Sequence, residues 1–318
     1  MEKVVIWGWG EETQIIYMLL SNSDFSAYFH LMGVYDRNPD TRILLEQSIE
    51  LGELKKNQPD IIITMSTIYY AVERDMQKNE IYSKLIRADK FINGNLRYHP
   101  KAVGDGTGYK RWLLSTMKFT NGELCNVFEI GANYGQDSNF IRQCLGISES
   151  NVYCFEANPQ IANEIRQMYP KFQVIDKAVS NYDGKTHIHL VDEEEKNSGL
   201  STILDYEYTE KYENLEIDCI KMSSYLKIHP EIESIDILKI DVEGLSYEVL
   251  EGFEDELEKV KSIQLESEFL NFHESHSFKD IVLFLYKKGY EMVDFKAYGR
   301  QNDSLWIRRD VLNVVPIY

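Results

Sequence analysis

The chain has 318 residues, of which 43% are hydrophobic and 12% aromatic, so it holds enough apolar material for folded cores and predicts about two domains. Asp and Glu number 52 against 34 Lys and Arg, and the formal net charge at pH 7 is −18. This negative charge disfavours binding to a nucleic-acid backbone or to an anionic membrane surface, and it agrees better with a neutral or locally cationic small substrate.

The sequence also shows no signal of export or of membrane insertion. Its apolar runs are shorter than a membrane span, and its N-terminus begins with a strand pattern rather than with a leader. The four cysteines form no CxxC pair, and the histidines show no zinc spacing. We therefore expect free thiols, no metal site and a cytoplasmic location.

The first part of the chain, residues 1–95, alternates short apolar strands with helical patterns, as small doubly wound α/β domains do. The patterns predict strands at 3–7, 31–35, 60–65 and 90–92 and helices at 11–22 and 81–88. The sequence GWG at 8–10 begins like a dinucleotide-binding turn, and Asp36 follows the second strand, where a ribose-binding acid can lie. Thr13 replaces the third glycine of that fingerprint, so a nucleotide or nucleotide-sugar module and a simple scaffold both remain open.

Residues 96–124 interrupt this alternation with several glycines, and we interpret them as a linker and cap before a second α/β domain at 125–318. The predicted strands of that domain are 127–130, 151–155, 172–175, 186–191, 215–220, 235–241, 262–267, 290–295 and 304–308, with helices at 136–144, 159–169, 246–251 and 278–288. Residues 192–212 are polar and aromatic without periodicity, and we interpret them as an excursion that closes over the acceptor.

The first turn of the second domain has the chemistry of an adenosine site. It reads GANYG at 131–135, and its glycines let a ligand approach the backbone while the following helix presents free N–H groups. These glycines are spaced more widely than in the dinucleotide fingerprint. Glu156, at the end of the second strand, can accept hydrogen bonds from both hydroxyls of a ribose. An adenosine ligand without phosphate, such as S-adenosyl-L-methionine, fits this combination.

Several stretches, found in order over about 125–310, resemble the FkbM family of S-adenosylmethionine-dependent methyltransferases. They read FEIGANYGQDS (128–138), FEANP (155–159), AVSNYDG (178–184), LKIDVEG (238–244) and EVLEG (248–252). The resemblance implies a class I methyltransferase Rossmann-like sheet, parallel with an antiparallel C-terminal strand, preceded here by a smaller Rossmann-like domain. It also implies methyl transfer from S-adenosyl-L-methionine, mostly to hydroxyls of sugars, antibiotics and related natural products.

The resemblance further implies roles for individual residues. Glu129 and Ala157 stand where the family more often has Asp and Pro, and neither change prevents donor binding. The implied donor-binding residues are Glu129, Gly131, Asn133, Gly135, Ser138, Glu156, Asp176, Ala178 and Asp241. Asp241 and Glu243 are expected to face the methyl-transfer region, and His273 is a further candidate for the catalytic base.

Other interpretations compete at these positions. Lys239 alternates with Asp241, so a buried structural ion pair competes with a catalytic role. Glu266 lies on the next strand, and a hard cation held by Asp241, Glu243 and Glu266 is an alternative to a metal-free site. A second histidine, His276, fits a solvated loop as well as a base.

The leading hypothesis is an O-methyltransferase that acts on a hydroxyl of a sugar, polysaccharide or related glycoconjugate. One alternative is an NAD-dependent sugar-modifying enzyme acting through the N-terminal domain, although Trp9 and Thr13 disagree with the NAD fingerprint. Another is a non-catalytic module in polysaccharide biosynthesis. The expected partner is a small molecule or glycan, with no nucleic acid and no membrane span, and a homodimer remains open.

Overall fold

The computed structural model describes residues 1–39, 41, 47–96, 107–191, 212–268, 276–299 and 301–313. The chain divides into two compact units, an N-terminal unit (1–97 with 143–146) and a C-terminal unit (98–142 with 147–318). Within the described ranges, no helix is both long and apolar enough to cross a membrane. All four cysteines are free thiols, and all except Cys125 are buried.

The N-terminal unit is a small α/β domain. Its strands are β1 (Glu2–Trp7), β2 (Phe29–Tyr35), β3 (Ile61–Thr64) and β4 (Lys84–Arg87). Its helices are α1 (Glu11–Ser21), α2 (Ser23–Ser26), α3 (Leu51–Asn57), α4 (Tyr69–Lys78) and α5 (Ala88–Asn95). The strands pair in parallel in the order β2-β1-β3-β4. Apart from Thr64, the buried residues of the central strands β1 and β3 are apolar, as expected for a parallel sheet that is covered on both faces.

Two predicted elements of this unit are wrong. Residues 84–87 form strand β4 rather than part of a helix at 81–88, and residues 88–95 form helix α5 rather than containing a strand at 90–92. β4 pairs with β3 at the edge of the sheet, and it has charged residues at both ends. Such a short segment carries too little periodicity to distinguish a strand from a helix, which explains the error.

The C-terminal unit carries the second sheet. Its strands are β5 (Val127–Ile130), β6 (Val152–Phe155), β7 (Gln173–Ile175), β8 (Ala178–Val179), β9 (Gly184–Val191), β10 (Tyr212–Ile220), β11 (Ile235–Ile240), β12 (Val260–Glu268), β13 (Tyr290–Tyr298) and β14 (Gln301–Arg308). Its helices are α6 (Lys110–Phe119), α7 (Gln136–Leu145), α8 (Pro159–Met168), α9 (Met222–Ile228), α10 (Ser246–Gly252) and α11 (Phe278–Lys287). Helix α6 lies within the stretch that we interpreted as a linker and cap.

The main sheet of this unit has the strand order β13-β14-β12-β11-β5-β6-β7. β14 is antiparallel to both of its neighbours, and the other pairings are parallel. This topology confirms the predicted fold class. The chain runs from β5 outward to β6 and β7 and later returns to β11 on the other side of β5, so the strand order reverses between β5 and β11. Sheets of this type bind ligands beyond the carboxyl ends of the strands at such a reversal.

Aromatic packing fixes the strands that lead to this edge. The ring of Phe128 stacks on Tyr153 with centroids 4.2 Å apart, and Phe155 packs edge-on against Tyr225 at 5.0 Å. Beside the main sheet, β8, β10 and β9 form a separate sheet in that order, with β9 and β10 antiparallel. Most of the predicted excursion between β9 and β10, residues 192–211, lies outside the described residues.

Candidate active site

The turn from β5 into α7 lies directly against the end of β11. Gly131 has a φ angle of +80°, and a Cβ atom there would lie 1.8 Å from the backbone oxygen of Asp241. The amides of Gly131 and Ala132 donate to the Phe155 carbonyl oxygen at 3.0 and 3.1 Å, which ties the turn to β6 as well. Gly135, with φ +69°, closes the turn. Only glycine fits at position 131, because both its backbone angle and its contact exclude a side chain.

Glu156 connects the same turn to the loop that follows β6. Its Oε2 accepts a hydrogen bond from the Asn133 amide, and its Oε1 accepts one from the Asn158 amide, both at 2.8 Å. The residue is 8% exposed, and burial raises its pKa to about 7 although the two backbone hydrogen bonds act to lower it. Each carboxylate oxygen has a second lone pair, so Glu156 can still accept hydrogen bonds from two hydroxyl groups.

A buried ammonium group lies at the centre of this edge of the sheet. Lys239 Nζ is 3.0 Å from a carboxylate oxygen of each of Glu129, Asp137 and Asp241. The other oxygen of Glu129 accepts hydrogen bonds from the amide and the hydroxyl of Ser138, at 3.1 and 2.6 Å. The pairing of Lys239 with Asp241 is therefore one part of a larger cluster, which joins residues from β5, α7 and β11.

Burial and charge oppose each other in this cluster. Burial disfavours the ammonium form of Lys239, but Asp241, Asp137 and Glu129 outweigh that effect and raise its pKa well above the ordinary value. Burial raises the pKa of Glu129 to about 7, while Lys239 acts to lower it and Asp137 to raise it further. Lys239 therefore remains charged, and its role is to hold the surrounding carboxylates in place rather than to exchange a proton.

A second group of acids adjoins this cluster through Asp241. Carboxylate oxygens of Asp241, Glu243 and Glu266 lie within 4.8 Å of one another. The φ angles of Glu243 and Gly244 are +48° and +98°, so the chain turns sharply after β11. Burial raises the pKa of Glu266 to about 9, and the charges of Asp241, Glu243 and Asp303 add to this rise. Carboxylates at such distances either share protons or hold a cation.

Two residues of this acidic edge were missed by the sequence analysis. Asp303 on β14 pairs with Glu266 on β12, and Gln264 Nε2 donates to Asp303 Oδ1 at 3.2 Å. Burial raises the pKa of Asp303 to about 6. Gln264 and Glu266 are two residues apart on a strand and so share a face, which is a signal that the sequence contains. The pairing with Asp303 depends on the antiparallel register of β12 and β14, for which the sequence has no local signal.

The remaining predicted residues have different surroundings. Asp176 is half-exposed, and its carboxylate pairs with Arg166 at 3.0 Å. Ala178 is buried in β8. The backbone amide of Glu156 donates to the carbonyl oxygen of Ile175, the last residue of β7, at 3.0 Å. Asp176 follows Ile175 and therefore lies at the same edge of the sheet as Glu156. His273 lies outside the described residues.

The other candidate histidine has a defined partner. His276 Nδ1 lies 2.9 Å from Glu248 Oε1, and its ring stacks on Tyr247 with centroids 3.8 Å apart. Both partners belong to α10, whose first residue, Ser246, donates its hydroxyl hydrogen to the backbone oxygen of Glu266 at 2.6 Å. His276 is thus held by the helix that packs against the strand of Glu266, rather than standing free in a loop.

The fold is that of a class I methyltransferase, and the sequence assigns its family. The model of the family described as Methyltransferase FkbM domain matches residues 129–292, which is more than half of the chain. The chain therefore belongs to the FkbM methyltransferase family, and this confirms the resemblance that its motifs indicated. It is an S-adenosyl-L-methionine-dependent methyltransferase. No curated protein matches the chain in sequence.

Solved methyltransferase structures match this chain at low similarity. The FkbM methyltransferase from Methylobacillus flagellatus is 11% identical with a TM-score of 0.39, and the match covers 96% of this chain and 90% of that one. TrmK from M. capricolum, in complex with S-adenosyl-homocysteine, is 15% identical with a TM-score of 0.36, covering 64% and 71%. Fibrillarin from Aeropyrum pernix, with bound S-adenosyl-L-methionine, is 10% identical with a TM-score of 0.34, covering 58% and 67%. The family assignment rests on the family model and not on these distant likenesses.

Proposed function

We propose that this protein methylates a hydroxyl group of a sugar, polysaccharide or related glycoconjugate, with the methyl donor bound at the glycine turn of the C-terminal unit. The observation that carries the donor site is Glu156, a buried carboxylate that both Asn133 and Asn158 hold against the turn. An acid at the end of the second strand is the group that binds the ribose hydroxyls in related adenosine sites.

The first residue of α7 supports the same donor. The side-chain oxygen of Gln136 is buried and has no hydrogen-bond partner among the described residues. A buried acceptor without a partner suits the ammonium group at the methionine end of the donor, and the adjacent helix N-terminus suits its carboxylate. Together with Glu156, these groups match a ligand that has a ribose at one end and an amino acid at the other.

We assign methyl transfer to the carboxyl end of β11. When bound, S-adenosyl-L-methionine supplies an activated methyl group, because the electron pair of its C–S bond leaves with sulfur as the acceptor oxygen forms the new C–O bond. Asp241 and Glu243 are the carboxylates that we assign to receive the hydroxyl proton, a transfer that typically adds ~10²–10⁴-fold to the rate. Lys239 is a positioning residue, since its ammonium group holds Asp241 at 3.0 Å.

The charge of the protein supports a neutral or hydroxyl-rich acceptor. The net charge of −18 disfavours nucleic acid, and the oxygens of Asp241, Glu243 and Glu266 can accept hydrogen bonds from several hydroxyls of a sugar ring. A small-molecule or glycan acceptor is therefore proposed. The cytoplasmic location and the homodimer remain predictions, which fractionation of cells and light scattering would test.

The donor site is tested by calorimetry with S-adenosylhomocysteine. We expect the wild-type chain to bind it, and Glu156→Gln to bind at least about tenfold more weakly, because one ribose acceptor becomes a donor. Asp36→Asn is the matched control, since it makes the same change at the corresponding acid of the N-terminal unit and should leave the affinity unchanged. Absence of binding to the wild-type chain at millimolar ligand would overturn the donor site.

The acceptor is tested with a methyl-labelled donor and a panel of sugars, glycans, amines and nucleic acids. We expect label on a hydroxyl oxygen, identified by the carbon chemical shift of the new methyl group, and loss of transfer in Asp241→Asn. Label found on nitrogen, or transfer only to nucleic acid, would contradict the proposed acceptor class while leaving the donor site intact.

A further inference from the structure

We propose that Asp241, Glu243 and Glu266 bind a hard divalent cation of the Mg²⁺ and Mn²⁺ class at the carboxyl edge of the main sheet. Their carboxylate oxygens lie within 4.8 Å of one another. The oxygens around one such ion, at metal–oxygen distances of about 2.1–2.4 Å, are separated by roughly 3–5 Å. Three carboxylates on two adjacent strand ends are therefore already close to the spacing that a cation requires.

Gln264 gives an independent reason to place a ligand here. The residue is 4% exposed, and its Oε1 has no hydrogen-bond partner among the described residues. Its Nε2 donates to Asp303 Oδ1, and Asp303 pairs across the strands with Glu266, so the Gln264 amide lies beside the acids of this edge. A buried acceptor without a partner in a native protein marks a position that water or an ion occupies.

Tyr109 adds a second polar atom of this kind. The residue is 3% exposed, and its hydroxyl also has no hydrogen-bond partner within the described part of the chain. It lies near enough to Lys239, Asp137 and Asp303 for their charges to act on it. A hydroxyl and an amide oxygen, both buried near Asp303, can accept and donate hydrogen bonds to the water molecules that a hard cation retains.

The charges at this edge also favour a cation. Lys239 compensates the cluster of Glu129, Asp137 and Asp241, which already contains three carboxylates around one ammonium group. Glu266 receives a hydrogen bond at 2.8 Å from the amide of Gln301, which adds no positive charge. Among the described residues of this edge, the acids Asp241, Glu243 and Glu266 outnumber the one buried ammonium group, Lys239, so a divalent ion beside Glu266 would add positive charge where acids predominate.

The role of the cation follows from its place beside the residues assigned to the acceptor. An ion held there would bind oxygens of a sugar acceptor and lower the pKa of the hydroxyl that is methylated, and the carboxylate oxygens of Asp241 or Glu243 that do not bind the ion would receive its proton. This role rests on the proposed function, whereas binding of the cation does not. The two can therefore be tested separately.

The test uses the full chain after treatment with a chelator and removal of that chelator. MnCl₂ is titrated in the absence of donor, and free Mn²⁺ is followed by its electron paramagnetic resonance signal. We expect one saturable site per chain and at least about tenfold weaker binding in Glu243→Gln and in Glu266→Gln. Gln264→Met should weaken binding by a smaller factor, about threefold, because it removes only an outer contact.

Glu251→Gln is the matched control. It makes the same change on α10, where Glu251 is exposed and accepts a hydrogen bond from Asn181 at 2.7 Å, and it should bind Mn²⁺ as the wild type does. Circular dichroism and S-adenosylhomocysteine binding report whether each variant is folded. A wild-type chain that binds S-adenosylhomocysteine but holds Mn²⁺ no better than the Glu243→Gln and Glu266→Gln double variant would overturn the cation site and leave the donor site standing. Saturable Mn²⁺ binding without S-adenosylhomocysteine binding would support the cation site and overturn the donor site.

Discussion

The two units of this chain present an acid to a glycine turn in the same way. Glu156 does so in the C-terminal unit. In the N-terminal unit, Asp36 accepts hydrogen bonds from the amides of Trp9 and Asn38, both at 2.8 Å. In each unit the acid follows the second strand. One of its carboxylate oxygens accepts a hydrogen bond from an amide in the turn after the first strand, and the other accepts one from the amide two residues after the acid. This hydrogen-bond pattern alone therefore does not distinguish a binding site from a structural turn.

The two turns differ in what lies against their glycines. A Cβ atom at Gly10 would lie 2.3 Å from Met65 Sδ, and one at Gly8 would lie 2.9 Å from Ile68 Cδ1. Apolar side chains thus cover the N-terminal turn at the position where a pyrophosphate would approach. The turn at Gly131 lies against the backbone end of β11, beside the acidic edge. This difference argues against the NAD-dependent alternative.

The first strands of the two units also differ, because one carries an apolar residue before its turn and the other carries a buried acid. Ile6 and Glu129 each stand two residues before the first glycine of their turn, and they are 0% and 1% exposed. Ile6 belongs to an apolar core, whereas Glu129 is a buried acid that depends on Lys239 and Ser138. Burying charged groups costs stability unless they are paired. A buried charged cluster is therefore a better sign of function here than the turn.

The largest effect that we expect comes from a side chain at Gly131. Gly131→Ala places Cβ against a backbone oxygen at a φ angle of +80°, and we expect a loss of more than about 4 kcal/mol or failure of the C-terminal unit to fold. Gly8→Ala has a similar φ angle of +92°, but its Cβ atom would contact only the ends of two side chains, Ile68 and Met65. Its cost should be about 1–2 kcal/mol. Urea unfolding of both variants checks this order, and equal costs would contradict it.

The buried cluster predicts the next largest effect. Lys239→Met removes the cation from three carboxylates and should destabilise the protein by about 3–5 kcal/mol. The control is Lys221→Met, which removes a lysine from a surface pair with Glu254 and should cost far less stability than Lys239→Met. Adding Glu129→Gln to Lys239→Met should recover part of the loss. Thermal unfolding at fixed pH measures all of these changes.

The pKa of Glu156 predicts how stability depends on pH. Burial raises this pKa from 4.5 to about 7, so the folded state favours the protonated carboxyl. The resulting stabilisation is complete below about 4.5 and is lost as the pH rises to about 7, a difference of about 3 kcal/mol. Glu156→Gln should remove this dependence. Urea titrations from pH 4.5 to 8 give the difference between the two proteins, and parallel curves would contradict the assignment.

Donor binding should show the opposite trend with pH. The ionised form of Glu156 accepts both ribose hydroxyls, so the affinity for S-adenosylhomocysteine should rise by up to about tenfold per pH unit below 7 and level off above it. In Glu156→Gln the affinity should be low and should not rise through this range. A wild-type affinity that falls between pH 6 and 8 would show that the carboxyl binds the ribose in its protonated form.

Local patterns of the sequence predicted the elements that surround the proposed donor site. The strand at 127–130, the turn at 131–135 and the acid at 156 lie close together in the chain, and each has a steric or hydrogen-bonding reason that acts locally. The strand and helix at 84–95 were assigned wrongly because β4 is short and lies at a sheet edge, where burial imposes little periodicity.

The acidic edge was only partly predictable. Asp241, Glu243 and Glu266 were brought together on the expectation that neighbouring parallel strands end at one edge of the sheet. Asp303 and Gln264 were missed because their contact depends on the antiparallel register between β12 and β14. Tyr109 was missed because it precedes α6 in a stretch that we interpreted as a linker, although the residue is buried. Residues that complete a site from distant parts of the chain leave no local pattern.

The smallest expected effects lie in the N-terminal turn. Asp36→Asn replaces one of the two acceptor oxygens with an N–H donor, so one of the hydrogen bonds from Trp9 and Asn38 is lost, at a cost of about 1 kcal/mol. Fluorescence titration with NADH should give a flat curve for the wild type and for this variant, because Met65 covers Gly10. Saturable NADH binding that Asp36→Asn abolishes would instead assign a nucleotide site to the N-terminal unit, and the contrast between the two turns would then lie in the ligand that each binds.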